Sequence, residues 1–125
     1  MKRLGVTARK LNQAPIFGTL TYYLEDMVRF SDHLDVEIVV FSPSDWLANT
    51  LLLKCYSFND GRWEEHQSEI PSLIYNRFSP LDDQEWDVYN QMVGHLSNLN
   101  YQFCIPLALE SLLRDKSRFQ SFLES

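Results

Sequence analysis

The chain has 125 residues, 45% hydrophobic and 14% aromatic, which is enough for one domain with a real core and no disulfide or metal staple. A formal net charge of −6 and scattered Lys and Arg exclude general nucleic-acid binding, which rewards clustered cations. The N-terminus lacks the apolar segment of a signal peptide, and the most apolar run, residues 36–41, is too short for a bilayer. A cytoplasmic chain without a membrane partner is therefore expected.

In chain order, Leu4-Gly5-Val6-Thr7 reads as a short strand, with Gly5 marking close packing or the close approach of another backbone. Residues 9–18 are loop-like, punctuated by Asn12, Pro15 and Gly18. A helix follows over residues 19–33, with Thr19 as N-cap and Leu20, Leu24, Met27 and Val28 on one face. Residues 36–41 form the strongest strand, apolar on both faces as in a sheet covered on both sides. Ser42-Pro43-Ser44-Asp45 ends it. Residues 51–58 and 62–67 are expected to form a β-hairpin around Asn59-Asp60-Gly61, because Asp-Gly between two β-type runs favours a tight turn. Trp63 is expected to lie against the domain body. Residues 73–75 are the next strand. A second helix spans residues 82–98, with Trp86, Tyr89, Met92, Val93, Leu96 and Leu99 as its apolar stripe and acids in its first turn. Residues 101–105 read as a last strand and 107–125 as helical, with a break near Asp115. This alternation predicts an α/β fold: a mainly parallel, open, Rossmann-like sheet with helices on both faces and a β-hairpin insertion.

Ligands of an open α/β sheet bind beyond the carboxyl ends of its strands. Three loops leave such ends: Thr7-Ala8-Arg9-Lys10, Ser42-Pro43-Ser44-Asp45 and Asn76-Arg77-Phe78-Ser79. Arg77 is the sharpest candidate. Its guanidinium either forks onto a carboxylate or phosphate or pairs with Asp82 or Asp83. Asn76 adds an amide beside it, and Thr7 ends the first strand at the same edge. Asp45 either orients a substrate amine or hydroxyl or caps a helix. Cys55 and Cys104 read as small core residues. His33, His66 and His95 lie in separate segments without ligand spacing, so no metal site is expected. With no glycine-rich phosphate loop and no Gly-x-Ser-x-Gly turn, no catalytic residue is assigned.

From Gly61-Arg62-Trp63 through Ile70-Pro71-Ser72-Leu73-Ile74-Tyr75-Asn76-Arg77 the chain resembles the N-terminal part of the spore-coat-associated ATP-grasp proteins of the YheC/YheD type. Val39-Val40-Phe41-Ser42-Pro43-Ser44-Asp45 is similar to their strand ending in Phe-x-Pro-x-Asp. Asp115-Lys116-Ser117-Arg118, with Phe119 and Leu123, looks like the Asp-Lys helix that opens their ATP-grasp module. The resemblance implies a pre-ATP-grasp α/β domain over residues 1–113 and the start of an ATP-grasp module over 114–125. It also implies the chemistry of the whole enzyme: Mg-ATP activates a carboxylate as an acyl phosphate, which an amine then attacks. By the same resemblance Asn76 and Arg77 would face the shared active site and Lys116 would reach the nucleotide, while the strand-end topology adds Asp45 and Thr7 as substrate-binding candidates. The partners implied are the C-terminal ATP-grasp domain of the same polypeptide and a small-molecule carboxylate or amine. ATP and Mg belong to the full-length protein, and no turnover is expected from this chain alone. The alternative is a stand-alone α/β module that binds an acidic metabolite or a protein.

Overall fold

The computed structural model describes residues 2–46 and 52–104. The chain runs β1 (Lys2–Thr7), α1 (Leu20–Ser31), β2 (Val36–Phe41), β3 (Leu52–Asn59), β4 (Arg62–Glu69), β5 (Leu73–Asn76), α2 (Asp83–Asn98) and β6 (Gln102–Cys104). One-turn 3-10 segments, Asp32–Leu34 and Pro43–Asp45, precede and follow β2. The strands form one six-stranded sheet in the order β4-β3-β2-β1-β5-β6. β2, β1, β5 and β6 pair in parallel, whereas β3 pairs antiparallel with both β2 and β4. The sheet is thus a mixed one, which corrects the expectation of a mainly parallel sheet. Its longest register, the eight pairs of β3 with β4, is antiparallel. The reason is local: a two-residue loop can join only antiparallel strands, and the hairpin adds itself to the sheet through β3.

That hairpin turns where the sequence predicts. Asp60 and Gly61 both take positive φ, 53° and 78°, as a two-residue turn matched to strand twist requires. Trp63 packs edge-on against Phe17, with ring centroids 5.0 Å apart, and its Nε1 donates to Glu25 at 3.1 Å. The hairpin is held to the body through that ring.

The pleat of β2 sorts the core. Val36, Ile38 and Val40 join Leu4, Val6, Leu24, Met27 and Val28 on the α1 side. Val39 and Phe41 join Leu53, Cys55, Ile74, Met92 and Leu96 on the α2 side. Helices therefore cover both faces, and each fully buried aliphatic side chain contributes about 1.5–3 kcal/mol. Gly5 lies in the middle strand under the crossover from β4 to β5. A Cβ there would stand 3.2 Å from Phe41 Cε1 and 3.3 Å from Pro71 Cδ. The close approach is thus to side chains. Arg3 fastens the same crossover, bonding Glu37, the Ser68 hydroxyl and the Glu69 carbonyl.

Both helices differ from expectation at their margins. Thr19 is helical, with φ −64° and ψ −22°, and its side chain caps nothing. Thr21 does related work one turn in, its hydroxyl accepting from Phe17 N at 3.0 Å. In α2 the stripe narrows to Met92 and Leu96, with Val88, Tyr89 and Val93 half-buried; Trp86 and Leu99 are about half exposed. The helix lies on the sheet along its middle turns, so both ends of the stripe overhang. It ends where Asn100 turns left-handed (φ 67°) and Tyr101 N donates back to Leu96 O at 3.0 Å. No described helix is long and apolar enough to cross a membrane. Residues 105–125 lie outside the described residues, and so do the expectations that fall on them, Lys116 included.

Candidate functional site

The chain leaves β1 toward α1 on one face and β5 toward α2 on the other, and β1 and β5 are neighbours. Strands diverging in this way open a crevice at their carboxyl ends. Thr7 and Asn76, the last residues of the two strands, stand opposite each other in register. Thr7 is fully buried, and its hydroxyl donates to Asn76 Oδ1 while accepting from Arg77 N (3.0 Å) and Phe78 N (3.3 Å). Asn76 Nδ2 donates to Phe78 O at 3.3 Å. Burial pushes the Tyr89 phenol up, and a hydrogen bond with Asn76 works the other way. Thr7 and Asn76 thus fix the loop after β5.

Arg9, in the loop after β1, meets Glu85 in the first turn of α2. Its Nη1 and Nη2 donate to the two carboxylate oxygens at 2.6 Å each, and Nη2 also reaches Ser79 O at 3.1 Å. The guanidinium lies 4.9 Å from the Phe78 ring centre, a cation–π distance. Glu85 also accepts from Leu81 N at 2.8 Å, while Glu85 N donates to Asp82 Oδ1 at 2.8 Å. Asp82 thus caps α2 at Glu85 N, and Glu85 reaches back past the cap to Leu81 N. The Arg9 bonds, then that of Leu81 N, hold the Glu85 carboxyl down at about 2. The same pairing raises Arg9 above its usual value.

Between the end of β2, Phe78 and the start of α2 lies a crevice of about 320 Å³. Pro43 and Val88 give it apolar walls, Phe78 an aromatic one, Ser44 and Gln84 neutral polar groups, and Asp82 and Glu85 carboxylates. It occupies the predicted edge of the sheet, but with other residues than expected. Arg77 points to the α1 side: its guanidinium lies 5.0 Å from the Tyr23 ring centre and 5.9 Å from that of Tyr75. It is not among the crevice walls. The cause is the pleat, since successive residues of a strand face opposite sides; Asn76 follows Ile74 to the α2 face and Arg77 follows Tyr75 to the other. Asp45 is half-buried in the 3-10 turn after β2, where its backbone N donates to Ser42 O at 3.0 Å.

Sequence reasoning missed Arg9, Glu85 and the crevice floor at Phe78. Asp82-x-x-Glu85 was a legible capping signature; the partner 76 residues away was not. Elsewhere, Cys55 is buried and its thiol is pushed up to about 11 by that burial, which makes it inert at neutral pH. His66 Nε2 lies 2.7 Å from Ser57 Oγ, and His95 stacks near Trp46. Among the described residues no three His, Cys, Asp or Glu stand together as a metal-ligand set.

No protein-family model matches the chain, and no curated protein does. Among solved structures, one match is a Chryseobacterium gregarium RiPP-associated ATP-grasp ligase, in complex with ADP and a leader and core peptide. It is 14% identical with a TM-score of 0.35, over 79% of this chain and 31% of that one. The chain thus spans about a third of that structure's length, and the likeness is too low to carry an argument.

Proposed function

We propose that this chain is the front, substrate-side domain of an ATP-grasp ligase, which holds a small-molecule substrate and supplies no catalytic group itself. The observation that carries the proposal is the crevice at the carboxyl ends of β2 and β5, walled by Pro43, Ser44, Phe78 and the first turns of α2. The ordered motifs around Trp63, Phe41-Ser42-Pro43 and Tyr75-Asn76-Arg77 supply the link to ATP-grasp proteins. Mg-ATP would be held by the ATP-grasp domain of the same polypeptide, with Lys116 at its start. Phe78 would border the substrate from the loop after β5, with Asn76 setting its position through Nδ2; Arg77, on the α1 side, would act outside this crevice. Thr7 and Asp45 would fix the ends of β1 and β2.

A second reading is a stand-alone binding module. It is favoured by one fact, that the crevice is walled by this chain's own elements. ADP formation by the full coding sequence's product, assayed over a panel of carboxylates and amines, separates the two. The ligase reading predicts ADP formation that depends on adding both a carboxylate and an amine, and none from the 125-residue chain alone. A full-length product that forms no ADP under any pairing contradicts it, as does ATP turnover by the short chain.

A further inference from the structure

We draw no further inference here: the strongest candidate, the exposed apolar surface of Leu81 and Trp86 at the start of α2, carries nothing, since nothing among the described residues shows what covers it.

Discussion

Glu85 uses one carboxylate to close the α2 cap and to grip Arg9, so its protonation should be visible in stability. Its folded value is held at about 2 against an ordinary 4.5, so the unfolded chain takes up the proton more readily. The stabilisation is therefore complete above about 4.5 and lost as pH falls toward 2. Melting curves against pH should show Glu85→Gln below wild type at pH 7, with the gap closing as pH approaches 2. A gap constant across that range would remove the ion pair from the account. Two glycines give a matched test of packing. Gly5→Ala drives a Cβ against Phe41 and Pro71 at 3.2 and 3.3 Å, and overpacking of that kind costs about 1–3 kcal/mol. Gly94 lies inside α2 with nothing within 4 Å of an added Cβ, so Gly94→Ala should stabilise by about 0.5–1 kcal/mol. Chemical denaturation that found Gly5→Ala as stable as wild type or more so would show the crossover to be looser than described. At this scale the sequence holds a signal where chemistry is local, as in the Asp82-x-x-Glu85 pattern, which sequence reasoning reads only as first-turn charge, and none where it is not. The direction of Arg77 was in principle legible, since Ile74 and Asn76 must share one face and Tyr75 and Arg77 the other. The Arg9–Glu85 pair needed the strand order.

The hairpin is the element whose turn chemistry matters most. Asp60 and Gly61 both hold positive φ, and an L-residue in that region costs about 1–2 kcal/mol. Gly61→Ala meets no atom within 4 Å, so any loss of stability is conformational alone. A loss of about 1 kcal/mol is expected by denaturation. Hydrogen exchange should show β3 protected, because it is paired on both sides. In Trp63→Ala, which releases the ring from Phe17 and Phe58 and the Nε1 bond to Glu25, β4 should lose protection before β2. Equal protection of β4 in wild type and variant would contradict the anchoring role. The turn was legible because Asp-Gly states its own geometry. The sheet's mixed direction was less so: strand–helix alternation governs β1, β2, β5 and β6, while the hairpin's attachment to β2 is a tertiary choice with no local signal. The α2 stripe was overread for the same reason, since periodicity marks a face but not how much of it the sheet covers.

At the scale of the molecule, a middle strand flanked by parallel neighbours and helices on opposite faces places one crevice at the carboxyl edge, and the proposed function stands or falls there. Ser44 is exposed on the crevice wall and bonded only to Ser42 by its hydroxyl, at 2.8 Å, among the bonds described. Ser44→Trp should therefore fill the space without disturbing the core. The most direct measurement is steady-state ADP formation by the full coding sequence's product carrying Ser44→Trp, with ATP and the small-molecule substrate varied in turn. A substrate-side crevice predicts that KM for the small molecule rises about tenfold or more while KM for ATP and the Tm stay unchanged. An unchanged KM for the small molecule, or a rise confined to ATP, would contradict it.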